Sequence, residues 1–132
     1  MQATGRFPGR VCVAVETRRG RIAIKGWRET LATTLDEALL RLHGLPLGGV
    51  LATCIDVEGQ LAGPDVPTLR HIVETTGLPV IASGGVRNVQ DVAAVRDAGC
   101  AALVVGTALY TGGLDLAKAQ EVARDGADAI DA

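Results

Sequence analysis

The chain has 132 residues, 48% of them hydrophobic but only one Trp, one Tyr and one Phe, and its formal net charge at pH 7 is −2. This length suits a single domain with one hydrophobic core. The slightly acidic charge and the scarcity of aromatic side chains argue against nucleic acid as a partner. No apolar stretch approaches the ~18 residues of a membrane span, so no membrane partner is expected.

Apolar runs of strand length alternate along the chain with segments of helical period, which predicts βα units on a parallel sheet. The predicted strands are residues 11–15, 49–55, 79–83 and 101–105. The predicted helices are about 34–43, 66–76, 89–98 and 116–124, with a short helical turn through Tyr110. Thr34, Asn88 and Asp115 are the expected N-caps, and Gly44, Gly77 and Gly99 the expected stops. This pattern makes residues 1–10 an N-terminal arm, 11–124 the domain and 125–132 a frayed tail.

Glycine follows two consecutive predicted strands at their carboxyl ends, where βα folds place their functional groups. Ser83-Gly84-Gly85 ends the third strand, and Gly106-Thr107 ends the fourth. Both stretches expose backbone N–H groups with a helix N-terminus close behind, a combination that suits a phosphate group. A single Gly-Gly pair is also typical of a plain turn, but two such ends on adjacent strands favour a phosphate site.

Glu16 comes directly after the first predicted strand, whose inward positions are otherwise apolar. Its carboxylate is therefore expected to project into the mouth of the site. We predict Glu16 and Thr53, near the end of the second strand, as the catalytic residues. The alternative for Glu16 is a solvated carboxylate paired with Arg18 or Arg19.

The loops after the first two strands carry further candidates. Trp27 either packs over a ring-shaped ligand or anchors the first loop against the rim of the fold. Asp56 and Glu58 are either a second carboxylate pair or ordinary loop charges. The predicted substrate-loop residues are Arg18, Gly26, Trp27, Gly59 and Gly63.

Cys12, Cys54 and Cys100 are odd in number, have no CxxC spacing and lie in or beside apolar runs. This usage predicts reduced core thiols in a cytoplasmic protein. Neither His43 nor His71 is spaced from the cysteines like a ligand set, so no metal and no cofactor is predicted. The first residues lack the apolar segment of a secretion signal.

Three stretches resemble the histidine-biosynthesis family of isomerases that convert a phosphoribosyl-formimino aminoimidazole carboxamide ribotide from aldose to ketose. They are residues 13–18 leading to Gly26-Trp27, residues 59–64, and residues 79–86 with 104–110. The resemblance runs from about residue 11 to residue 122 and covers the family's C-terminal half. It implies the (βα)₄ half of a TIM barrel, a phosphorylated small-molecule ligand, and Glu16 in the place of an Asp that supplies one of the family's two essential carboxylates.

Several positions depart from the family pattern. Glu16 replaces Asp, Glu58-Gly59-Gln60 stands where the family usually has Asp-Gly-Thr, and Cys54 replaces an acidic residue. The family's other carboxylate has no counterpart, because the strands that carry it are absent from this chain. These differences predict that isomerase activity is weak or lost.

Four parallel strands cannot close into a barrel, so a monomer would expose two sheet edges and an apolar inner face. We therefore expect a homodimer, or a higher homo-oligomer, whose symmetry places a second Glu16 on the opposite strand. One alternative is a non-catalytic module, relict or engineered, that self-assembles and binds phosphate. Another is a flavodoxin-like open α/β domain.

Overall fold

A computed structural model describes the chain at residues 8–18, 21–22, 34–55 and 63–128, with the backbone alone at positions 21, 55, 107 and 125–128. The strands are β1 (Cys12–Arg18), β2 (Arg21–Ile22), β3 (Gly49–Ile55), β4 (Val80–Ser83) and β5 (Ala102–Val104). The helices are α1 (Leu35–Leu42), α2 (Val66–Thr76), α3 (Val89–Asp97), α4 (Thr107–Tyr110) and α5 (Leu116–Asp128).

The strands β1, β3, β4 and β5 run parallel and lie side by side in chain order. This order confirms the predicted α/β fold, a (βα)₄ half of a TIM barrel. A flavodoxin-like domain would instead place its first strand between the second and third, so that alternative is wrong. The short strand β2 pairs antiparallel with the carboxyl end of β1.

One face of the sheet packs against the helices and forms the main core. Val15, Ala52 and Ala82 are register partners on this face and are all buried. Burial of these apolar groups is the main stabilising contribution to the fold, at roughly 25 cal/mol per Å² removed from water. The helix side chains packed against them include Leu39, Leu42, Leu69, Ile72 and Val95.

The opposite sheet face, called here the inner face, carries no helix among the described residues. Its side chains alternate with those of the core and are half-buried or exposed. The register places them in two rows, Ala14–Leu51–Ile81–Ala102 and Glu16–Thr53–Ser83–Val104. Val104 is 49% exposed, so the inner face leaves apolar side chains in contact with water.

Local signals place most element ends correctly. The side chains of Thr34 and Asn88 accept hydrogen bonds from the N–H groups of Glu37 and Asp91, as expected for N-caps. Gly77 ends α2 in the left-handed conformation with φ +64°, which a glycine adopts without a Cβ penalty.

The structure also differs from the sequence-based expectations. Strand β1 continues to Arg18, so Glu16 lies inside the strand rather than after it, because pairing with β3 continues as far as Ile55. Helix α5 runs to Asp128, beyond its predicted end at about 124. Cys12 is exposed on the inner face, so its assignment as a core thiol is wrong. No helix of the described ranges is long and apolar enough to cross a membrane.

Candidate functional site

Glu16, Thr53 and Ser83 lie side by side at the carboxyl end of the inner face. Glu16 is the Cα partner of Thr53, which is in turn the partner of Ser83. Adjacent strands are about 4.8 Å apart, so the backbone positions of Glu16 and Ser83 are roughly 10 Å apart, with Thr53 between them. All three residues are partly exposed. The structure therefore brings the two predicted catalytic residues together with the first residue of the predicted phosphate motif.

Gly84 and Gly85 turn the chain directly after this row. Their φ angles are +88° and +82°, in the left-handed region that favours glycine. A Cβ on Gly85 would lie 2.8 Å from the Gly63 carbonyl oxygen, and one on Gly84 would lie 3.5 Å from the Thr53 methyl group. The turn thus packs closely on the loop that follows β3, and Gly63, a predicted substrate-loop residue, is its direct neighbour.

Gly106 follows β5 at the same edge of the sheet. Among the described residues, no atom lies within 4 Å of the position that a Cβ would occupy on Gly106, and the residue is exposed. Thr107 opens α4, which is only four residues long. One helical turn has a small dipole, so binding here would depend on backbone N–H groups more than the sequence suggested. The Thr107 side chain is outside the described part of the chain.

The predicted substrate loops are only partly described. Arg18 lies two residues after Glu16 in β1, is exposed, and pairs in register with Arg21 of β2. Alternation along the strand puts Arg18 on the inner face with Glu16. Gly26, Trp27 and Gly59, as well as Asp56 and Glu58, lie outside the described residues, and their assignments stay predictions.

Thr17 and Cys54 are register partners on the helix side of β1 and β3 and are almost completely buried. Burial raises the pKa of the Cys54 thiol to about 11, and the Thr17 hydroxyl opposes this only in part. Cys54 therefore faces away from the Glu16 row as a neutral core thiol. Within residues 8–18, 21–22, 34–55 and 63–128, no group of three or more His, Cys, Asp or Glu is arranged to hold a metal ion.

Arg87 and Asp91 form an ion pair behind the Gly84-Gly85 turn that the sequence analysis missed. Burial alone would raise the pKa of Asp91, but hydrogen bonds and charge from Arg87 outweigh it and hold the pKa below its ordinary value. The spacing of four residues across the Asn88 N-cap was the available sequence signal. It indicates a pair only once the cap has been fixed at Asn88.

The family profile described as "Histidine biosynthesis protein" matches residues 1–115, which is most of the chain. The chain belongs to this family. The match includes β1 to β5 and therefore both glycine-containing strand ends. It confirms the resemblance drawn from the sequence motifs.

Curated relatives in the histidine biosynthesis family are phosphoribosyl imidazole-4-carboxamide isomerases. The Natronomonas pharaonis protein is 44% identical over 117 residues, which are 89% of this chain and 49% of the relative. The Gemmatimonas aurantiaca protein is 40% identical over 120 residues, 91% of this chain and 51% of the relative. The Methanocaldococcus jannaschii protein is 36% identical over 116 residues, 88% and 48% respectively. The chain thus spans about half the length of the curated relatives it matches.

Proposed function

We propose that this chain is a phosphoribosyl-binding half-barrel, and that a second copy of the chain covers its inner face. The observation that carries the proposal is the register row of Glu16, Thr53 and Ser83 beside the Gly84-Gly85 turn. A carboxylate, two hydroxyls and backbone without a Cβ meet at one edge of the sheet. This set of groups suits a phosphorylated sugar, with the phosphate on the glycine backbone and the sugar over the row.

Isomerisation at this site is weak at most in our proposal. The resemblance assigns aldose–ketose chemistry to two carboxylates, one as base at C2 of the sugar and one as acid on the ring oxygen. Glu16 supplies one of them, and in a dimer the partner's Glu16 supplies the other. Because Glu is one methylene longer than Asp, the carboxylate is displaced by roughly 1.5 Å from the family position, which impairs alignment. The alternative, a module that binds phosphate without turnover, uses the same glycine backbone.

The inner face is the surface that a second copy would cover. Its apolar members, Ala14, Leu51, Ile81, Ala102 and Val104, form a continuous patch in two register rows. Soluble monomers rarely expose such a patch, and β5 lies at one end of the sheet, where no further strand of the described residues pairs with it. A twofold axis brings the same patch onto itself and restores two phosphate sites. A separate complementing half-barrel is the other possible occupant, and the oligomeric state of the purified chain distinguishes the two.

The ligand proposal is tested by ¹⁵N NMR titration of the chain with inorganic phosphate and with ribose 5-phosphate. We expect saturable chemical-shift changes at the Gly84, Gly85 and Gly106 amides. The amide shift of Gly44, which follows the carboxyl end of α1, should stay unchanged. Absence of a saturable shift at the first three amides overturns the proposal.

Three free thiols fit the reducing cytoplasm, where we propose that the protein works.

A further inference from the structure

The Arg87–Asp91 pair is bidentate and has a third bond from the main chain. Arg87 Nε lies 2.9 Å from Asp91 Oδ2, and Arg87 Nη2 lies 3.1 Å from Oδ1. The backbone N–H of Arg87 also donates to Oδ2, at 2.8 Å. The Asp91 side chain is only 9% exposed, whereas that of Arg87 is 43% exposed. A buried carboxylate with three charge-assisted or backbone donors holds its partners firmly.

The pair touches the segments that build the candidate site. A Cβ on Gly63 would lie 2.8 Å from Arg87 Nη2, so the guanidinium lies against the backbone of the loop after β3. A Cβ on Gly113, after α4, would lie 3.1 Å from the Arg87 carbonyl oxygen. Gly63 itself packs against Gly85, as described above. Arg87 therefore contacts the loop after β3, and this loop packs against the glycine turn after β4.

We propose that Arg87 and Asp91 are positioning residues that hold the Gly84-Gly85 backbone in its phosphate-binding conformation. Neither is assigned a contact with the ligand. The inference rests on the proposed phosphate site for its ligand readout, but its effect on the turn is measurable without ligand. The bonds to Arg87 N–H and the guanidinium fix the chain two residues after Gly85, where a small displacement is transmitted to the glycine N–H groups.

Removal of the Asp91 charge gives opposite predictions for positioning and for simple electrostatics. Asp91→Asn removes a negative charge close to the site, so electrostatics alone would tighten the binding of an anion. Loss of the bidentate clamp would loosen the turn and weaken binding instead. We expect Asp91→Asn to weaken phosphate binding about tenfold, the effect of one charge-assisted hydrogen bond.

Asp97→Asn is the matched control for this experiment. Asp97 lies in the same helix and pairs with Arg96 at 3.0 Å, but its side chain is 62% exposed. It is the last residue of this helix, whereas Asp91 lies in the first turn, close to the glycine turn in sequence. This variant makes the same change of charge and should leave phosphate affinity unchanged. Arg87→Lys keeps the positive charge but loses the planar fork of the guanidinium. Its phosphate affinity should therefore lie between that of the wild type and that of Arg87→Met.

The test measures phosphate affinity and the ¹⁵N backbone order parameters of the glycine turn in both aspartate variants. We expect the order parameters of Gly84, Gly85 and Val86 to fall from roughly 0.85 towards about 0.6 in Asp91→Asn, with that of Val50 in β3 unchanged, and neither effect in Asp97→Asn. Unchanged order parameters at the turn, or tighter phosphate binding, in a folded Asp91→Asn variant overturns the inference. If the wild-type chain binds no phosphate, the proposed function fails, and the order parameters alone still decide whether the pair holds the turn.

Discussion

Glu16 and Thr53 are Cα partners across β1 and β3, and the Thr53 methyl group lies 3.5 Å from the Cβ position of Gly84. The candidate carboxylate is therefore located relative to the glycine turn by sheet register and not by a loop. A parallel ladder fixes this register, because a slip of one residue would turn the row towards the helices. Substitutions at position 16 should accordingly change the reach of the carboxylate and leave the glycine turn in place.

The chemistry of Glu16 can be tested by two substitutions that differ in charge and length. Glu16→Gln should remove whatever isomerase turnover the chain has, by a factor of about 10² or more, since general acid–base groups contribute that much. Glu16→Asp should raise turnover, because it restores the shorter side chain of the family. Steady-state assays with the ribotide measure both, and NMR titration should find the same phosphate affinity in the wild type and in Glu16→Asp, which carry the same charge. Full activity in Glu16→Gln would show that another group acts as the base.

The glycine turn can be tested at Gly85 with Gly44 as its control. Both have positive φ, +82° and +80°, so Ala at either position costs about 1–2 kcal/mol of unfolding free energy. At Gly85 the new Cβ also meets backbone, 2.8 Å from the Gly63 carbonyl oxygen, whereas at Gly44 no atom of the described residues lies within 4 Å. Urea unfolding first verifies that both variants are folded. In the NMR titration that follows, we expect Gly85→Ala to lose phosphate binding and Gly44→Ala to keep it. Equal phosphate affinity in the two variants would contradict a binding role for this turn.

The helices and the parallel strands were largely predictable from the sequence because their limits are set locally. Thr34, Asn88 and Gly77 cap or stop helices through contacts within a few residues. Strand β2 was missed because Arg21-Ile22 carries no strand pattern of its own and depends on pairing with Thr17 and Arg18.

The candidate site was only partly predictable. Strand ends and glycines indicated Ser83, Gly84 and Gly85, since carboxyl ends of parallel strands meet at one edge. The Arg87–Asp91 pair escaped notice because its meaning depends on contacts with Gly63 and Gly113, which are far away in the sequence. Likewise, the side on which Cys54 is buried follows from its register with Thr17, which an apolar run does not reveal.

The burial of Cys54 predicts low reactivity and a dependence of stability on alkaline pH. Its pKa is raised to about 11 from an ordinary value near 9, so the folded chain keeps the proton while the unfolded chain loses it. This contribution to stability is present below pH ~9 and is lost as pH rises towards about 11, by roughly 1–3 kcal/mol. Urea unfolding at pH 8 and pH 10.5 should show a smaller loss in Cys54→Ala than in the wild type.

Thiol labelling at pH 8 gives an independent check. Cys12 is exposed and should react rapidly with a disulfide reagent, whereas Cys54 should react only as fast as the fold opens. Rapid labelling of Cys54 in the native chain would contradict its placement in the core.

Asp91 predicts a dependence on acid pH. Its pKa is lowered in the fold by Arg87 and backbone donors, so its contribution to stability is present above the unfolded pKa of about 3.9. That contribution is lost as pH falls through the lower folded pKa. The unfolding free energy of Asp91→Asn should therefore fall less steeply below pH 4 than that of the wild type, while Asp97→Asn, which retains Asp91, keeps the steep fall. Equal slopes in wild type and Asp91→Asn would contradict a charged, clamped Asp91.

The proposed interface can be tested with two exposed apolar residues, one on the inner face and one elsewhere on the surface. Val104 is 49% exposed on the inner face, and Leu40 is 64% exposed on α1. Val104→Asp places a charge where the second copy would pack and should weaken self-association by at least tenfold, whereas Leu40→Asp should not affect it. Circular dichroism verifies that both variants are folded.

Sedimentation equilibrium of the purified wild-type chain at micromolar concentration tests the half-barrel pairing most directly. We expect a mass twice that of the 13.6-kDa chain, falling to the single-chain mass in Val104→Asp but not in Leu40→Asp. A folded wild-type monomer at these concentrations would contradict the pairing and leave the inner face to a different partner.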